Sequence, residues 1–144
     1  GGDGAAGAHD SPQLVGGCVL VSTQAIAVPG SRGTLYALDQ ETGEGVWQFE
    51  TVPDDFWGNP RVNHGGGAWY PPAVDTDTGA IYWGTSNPWP APGAPGFPAG
   101  TSRPGDNLYT NSLLAMDGDG NLDAQSRFHD LALARSRPSP SSDD

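Results

Sequence analysis

Apolar residues in this chain come in short clusters separated by turn-forming residues, and the most regular example is TLYALDQETGEGVWQFE. A strand ending near Asp39, a turn at Glu41-Thr42-Gly43 and a return strand VWQFE follow from its chemistry. Asp and Thr side chains can bond the turn backbone, and Gly accepts a positive φ. The return strand projects Trp47, which suits docking against a neighbouring unit. Upstream, the apolar stretch Leu14 to Val21 is broken by Gly16-Gly17, which predicts a strand that turns and continues as CVLVS.

The same arrangement recurs. Ala37, Asp39, Thr42, Gly43 and Trp47 spell A-x-D-x-x-T-G-x-x-x-W, and AVDTDTGAIYWGT repeats it with Ala73, Asp75, Thr78 and Gly79 before a strand over Ala80 to Gly84. A third copy opens at LLAMDGDGN with Ala115 and Asp117. The copies begin 36 and 42 residues apart, a spacing that matches one propeller blade per repeat. With 22 Gly, 14 Pro and five Trp, long helices are hard to place. The predicted class is therefore all-β, a partial β-propeller of about two four-stranded blades. Between the second and third copies, PWPAPGAPGFPAG is too rich in Pro and Gly for a strand or helix and reads as a long loop.

Charge and composition narrow the partners. The 144 residues carry 17 acidic and 6 basic side chains, for a net charge of -11. Every basic residue is Arg, and such a surface excludes nucleic acid and anionic membranes as natural partners. No stretch approaches the roughly 18 apolar residues of a membrane span. The opening GGDGAAGAHDSP lacks the basic and apolar regions of a signal peptide, so any export signal is expected upstream of residue 1. Cys18, the lone cysteine, reads as a small buried side chain in CVLV. DGDGNLD alternates oxygens as a calcium loop does, but Leu122 and Phe128 stand where an EF-hand needs Gly and Glu, so a hairpin turn is expected. His9, His64 and His129 lack zinc spacing, and neither a phosphate loop nor a G-x-S-x-G elbow is present.

GGGAW, IYWGTSNP and RPGDNLYTNS, together with the repeat, resemble the pyrroloquinoline quinone (PQQ)-dependent dehydrogenases of the quinoprotein alcohol dehydrogenase type, over roughly residues 11 to 122. By that resemblance Trp69 matches the tryptophan forming the floor under the quinone, and Asn87 matches an amide-oxygen ligand of the active-site Ca²⁺. A flat, electron-poor ring gains from an aromatic face, and Ca²⁺ takes oxygen ligands. From the residues alone, Trp69 could equally pack between blades and Asn87 could open a turn before Pro88. The resemblance implies oxidation of a small-molecule alcohol or sugar, an electron acceptor, and a periplasmic or extracellular setting. Its alternative is a PQQ-like propeller without cofactor, acting as a scaffold or binding module.

Three departures bear on catalysis. Ala27 or Val28 stands where the family carries a Glu ligand, with Gln24 a substitute only if the loop has shifted. Phe128-His129-Asp130-Leu131 begins like the family's catalytic-Asp segment, but the Trp and Asp that should follow are missing, so no catalytic residue is assigned. Ala124 and Gln125 occupy the place of the third repeat Trp. After Leu122 the chain holds three of its six Arg and ends in Ser, Pro and Asp. Residues 11–122 are thus expected to form the propeller fragment and 123–144 a divergent, disordered tail; a shifted reading frame near residue 122 would produce both features.

Overall fold

The described residues form four antiparallel sheets, and local turn chemistry sets the first of them. In the computed structural model, which describes residues 11–24, 31–53, 57–90, 93–98, 100–103 and 107–127, with side chains as far as Asp123, β1 (Gln13–Val15) and β2 (Cys18–Ser22) pair through a two-residue loop closed by Gly16 and Gly17. Next, β2 pairs with β3 (Thr34–Asp39), and β3 with β4 (Gly45–Glu50). The Asp39 carboxylate organises the β3–β4 turn. It accepts from the backbone N–H of Glu41 at 3.0 Å and of Thr42 at 2.8 Å, and from the Thr42 hydroxyl at 3.0 Å.

The motif repeats with its geometry. The Asp75 carboxylate accepts from the N–H of Asp77 and Thr78 at 2.9 and 3.3 Å, and that of Asp117 accepts from Asp119 and Asn121 at 3.0 and 2.8 Å. All three carboxyls sit below the usual carboxylate range because these turn donors favour the ionised form. For Asp39 the backbone of Thr42 contributes most, whereas for Asp75 and Asp117 the side chains of Thr78 and Asn121 lead.

After the first sheet come β5 (His64–Gly65) and β6 (Ala73–Val74). Then β7 (Ile81–Gly84) is followed by three two-residue strands, β8 (Pro88–Trp89), β9 (Gly93–Ala94) and β10 (Phe97–Pro98). The last strands among the described residues are β11 (Ser112–Met116) and β12 (Leu122–Arg127). Two four-stranded sheets result, ordered β1-β2-β3-β4 and β12-β11-β7-β6, with two-stranded pairs β5-β8 and β9-β10 beside them. Two blade-like sheets are thus present, and the described residues do not close a ring. Register aligns the repeats: Ala37 faces Trp47 and Ala115 faces Ala124, each beside a bulge. The missing third repeat Trp therefore belongs at residue 124.

Alternation puts the core between the two sheets. Along β7 and β11 every second residue is buried, and Ile81, Trp83, Leu114 and Met116 meet Leu20, Leu35, Ala37 and Ala68 in one cluster. Trp47 crosses from the first sheet to the second, its indole N–H donating to the Gly118 carbonyl at 3.0 Å. Trp83, wholly buried, donates to the Tyr70 carbonyl at 3.1 Å. Both are packing residues, as their places in the repeats predict.

Two details differ from the sequence reading. The Pro-rich stretch is not free of strands, because Pro carbonyls still accept: Pro88 pairs with Gly65 and Pro98 with Gly93 in bridges too short to need a full ladder. Pairing along β11 also continues past residue 122 as far as Arg127, since an antiparallel ladder bonds main chain to main chain. The tail expectation for 128–144 lies outside the described residues.

Candidate functional site

The glycine run before Trp69 is threaded between the two sheets. Gly33 N–H donates to the Gly65 carbonyl at 2.9 Å, and the Thr51 hydroxyl lies 2.8 Å from the Gly66 carbonyl. On the other side Gly66 N–H donates to the Asn87 carbonyl at 3.2 Å, and Ser86 N–H to the Gly67 carbonyl at 2.8 Å. Gly65 and Gly66 have φ of 105° and 66°. A Cβ on Gly65 would stand 2.6 Å from the Asn87 carbonyl and 2.9 Å from Trp89 N. Only Gly allows this approach, and the approach brings Trp69 beside the end of β7.

There Trp69, Tyr70, Gly84, Thr85 and Ser86 line a recess of about 240 Å³. Trp69 keeps 39% of its surface exposed, unlike the buried Trp83. Thr85 is held by its own hydroxyl, which donates to the Tyr109 carbonyl at 2.6 Å. Ser86 Oγ is buried with no hydrogen-bond partner. Asn87, the next residue, spends its amide N–H₂ on the Pro88 carbonyl at 3.3 Å. Its Oδ1 makes no protein hydrogen bond among the described residues. Trp69 and Ser86 thus border the recess, while Asn87 follows Ser86 in the chain and does not line it.

A second polar network anchors the Pro-rich segment. Asn63 donates to the carbonyls of Gly58 at 2.7 Å, Ser102 at 3.1 Å and Trp57 at 3.2 Å, and its Oδ1 accepts from the Ser102 hydroxyl at 2.6 Å. Arg103, only 9% exposed, donates to the Pro90 carbonyl at 2.9 Å. Burial pushes its guanidinium below its ordinary pKa, although an arginine stays charged at neutral pH. His64 is buried, its Nδ1 bonded to the Val62 carbonyl at 2.8 Å, and its ring stacks on Trp89 at 6.4 Å.

Sequence reasoning singled out Trp69 and Asn87 but gave no role to Ser86 or Arg103. Both lie in segments it quoted, GTSNP and RPGDN, yet burial and missing partners are tertiary facts. The expected Glu position, residues 27 and 28, lies outside the described residues, as does the Phe128–Asp130 segment. Gln24 is half-buried. Among the described residues no three His, Cys, Asp or Glu side chains gather as a metal site. To a flat, oxygen-bearing ring the recess offers a partly exposed indole and a hydroxyl without a partner, and Asn87, one residue on, has an amide oxygen without a donor among the described residues. For a calcium ion Asn87 Oδ1 would be a single ligand atom, and the remaining oxygens would have to come from elsewhere.

Comparison with known proteins agrees with this arrangement. The family described as glucose/ethanol/alcohol dehydrogenase, PQQ β-propeller domain, matches residues 3–122. The chain is 32% identical over 128 residues to quinohemoprotein alcohol dehydrogenase ADH-IIG of Pseudomonas putida, covering 76% of this chain and 17% of that protein. It is 32% identical over 136 residues to subunit 1 of the cytochrome c methanol dehydrogenase of Methylorubrum extorquens, covering 76% and 20%. The solved structure of Pseudomonas putida ADHIIG superposes with a TM-score of 0.63 at 27% identity, over 82% of this chain and 19% of that one. The chain thus spans about a fifth of the length of these relatives. With the family model matched over residues 3–122, the chain belongs to the PQQ β-propeller family of glucose, ethanol and alcohol dehydrogenases.

Proposed function

We propose that this chain contributes part of a PQQ site to a dehydrogenase that oxidises an alcohol or a sugar outside the cytoplasm and passes the electrons to a separate acceptor. The observation that carries the reading is a partly exposed Trp69 lining a recess with Ser86, whose neighbour in the chain, Asn87, has an amide oxygen with no donor among the described residues. The names of the relatives, an alcohol dehydrogenase and a cytochrome c methanol dehydrogenase, support the substrate class and the separate acceptor.

When bound, the quinone supplies the electron-accepting carbonyl and Ca²⁺ the Lewis acid that polarises it. This chain's residues hold and orient. Trp69 would offer the stacking face and Asn87 Oδ1 a neutral cation ligand, and the glycine run, bonded through Gly66 to Asn87 and through Gly67 to Ser86, ties the two segments together. No Asp stands where the family's catalytic Asp aligns. Binding without turnover is therefore the behaviour proposed for the chain by itself, and dye-linked alcohol oxidation by the purified chain with PQQ and Ca²⁺ would contradict it. The second reading, a cofactor-free scaffold, is favoured by Ala27 and Val28 in place of the Glu ligand.

Titration of PQQ with and without Ca²⁺, followed by quenching of tryptophan fluorescence, separates the two. The dehydrogenase reading expects calcium-dependent quenching, weakened about tenfold or more in Trp69→Ala and in Asn87→Ala, since about 1.4 kcal/mol of lost contact is tenfold in affinity. A folded chain that does not bind would favour the scaffold, and equal binding by both variants would overturn the assignment of Trp69 and Asn87.

A further inference from the structure

We infer that Ser86 is a ligand-recognising residue of the Trp69 recess, its hydroxyl donating to an acceptor oxygen, carbonyl or carboxylate, on a planar aromatic ligand that lies against the indole. This rests on the reading of the recess as a cofactor site. The main chain of Ser86 is fully engaged, its N–H donating to the Gly67 carbonyl at 2.8 Å and its carbonyl accepting from Asn111 N–H at 2.9 Å. Its Oγ, by contrast, is buried and makes no hydrogen bond.

The surrounding hydroxyls show that this is not loose packing. Ser22 donates to the Ala68 carbonyl at 2.8 Å, Thr85 to Tyr109 at 2.6 Å, Thr110 to Asn107 at 2.7 Å and Ser112 to Thr110 at 2.8 Å. All four of these hydroxyls have partners, that of Thr85 at the recess included, whereas Ser86 Oγ has none among the described residues. An unmade hydrogen bond on a buried group works against folding, and such groups are retained in native proteins where something other than folding uses them. For the backbone alone, Gly or Ala at position 86 would serve as well as Ser.

The ligand class follows from the neighbours. Trp69 presents a flat apolar face that favours a ring. The rest of the lining is Tyr70, Gly84 and Thr85, whose hydroxyl is already committed to Tyr109. Among the lining hydroxyls, that of Tyr70 belongs to a residue largely exposed to solvent, while that of Ser86 is buried and uncommitted. Rotation about a single bond, between staggered positions, aims it.

The test is PQQ titration of the full chain carrying Ser86→Ala or Ser86→Thr, with urea unfolding of each variant. The expected result is affinity about tenfold weaker in Ser86→Ala, largely restored in Ser86→Thr, with the urea midpoint of Ser86→Ala unchanged or higher. A ligand-binding hydroxyl gives this combination, and a structural one does not. If Trp69→Ala abolishes binding while Ser86→Ala binds like the parent, the Ser86 assignment fails and the cofactor reading stands. If Ser86→Ala unfolds at lower urea, the hydroxyl has a partner within the protein and the assignment fails. Absence of binding to the parent chain overturns both.

Discussion

Seating Trp47 over the turn of the second sheet should couple the two sheets, and Gly120 gives a way to measure it. An ideal Cβ on Gly120 would lie 2.5 Å from Trp47 Cδ2, 2.8 Å from Cγ and 2.9 Å from Cε3, and Gly120 has a φ of 83°. Gly120→Ala therefore carries two separable penalties. The left-handed backbone costs about 1–2 kcal/mol for any residue with a Cβ, and crowding of the indole adds about 1–3 kcal/mol. Trp47→Ala removes a partly buried indole and its 3.0 Å bond to the Gly118 carbonyl. Full burial of Trp is worth about 3–5 kcal/mol, so a half-buried ring with one hydrogen bond should cost about 2–3 kcal/mol. With Trp47 already gone, Gly120→Ala should retain only its backbone cost. The double-mutant cycle then reads a coupling of about 1–3 kcal/mol. Urea unfolding followed by circular dichroism is the assay, because removing a Trp alters the fluorescence signal itself. Equal penalties for Gly120→Ala in both backgrounds would refute the docking, as would a Trp47→Ala cost below about 0.5 kcal/mol.

Other substitutions probe the anchors and the turns. Ser102→Ala leaves Asn63 Oδ1 without its 2.6 Å donor at a fully buried site, so a loss of about 1–3 kcal/mol is expected; a loss within about 0.5 kcal/mol would show the network to be dispensable. For the turns, the folded-state pKa values of Asp39, Asp75 and Asp117 are depressed. Their contribution is therefore complete above the unfolded value, about 4, and is lost as pH falls through the lower folded values. Resistance to urea should decline below about pH 4, and Asp→Asn at all three positions should flatten that decline. An unchanged pH profile in the triple variant would mean the turn bonds are not formed in solution.

Residues a few positions apart make the turns, and these were readable in advance. Asp39 with Thr42, Asp75 with Thr78 and Asp117 with Asn121 are i to i+3 or i+4 pairs, so the turn carboxylate, its donors and the returning strand were legible in the repeats. Gly16-Gly17 and the outward Trp47 belong to the same class. From these came the all-β class and the two four-stranded units. The resemblance in GGGAW and GTSNP singled out Trp69 and Asn87 as candidate site residues, but not what they touch.

Contacts between distant segments were decided in three dimensions. The Pro-rich stretch hid its strands because a two-residue bridge such as Pro88 with Gly65 has no periodicity to detect. Ser102 with Asn63 and Trp47 with Gly118 span 39 and 71 residues, and nothing local names such partners. Ser86 is the clearest case. Its type and neighbours look like those of any turn serine, and its significance lies in a hydrogen bond it does not make. Turn chemistry is fixed by side chains reaching their own backbone, whereas the recess exists only because two sheets pack, draw a glycine run between them and leave one indole face and one hydroxyl unused.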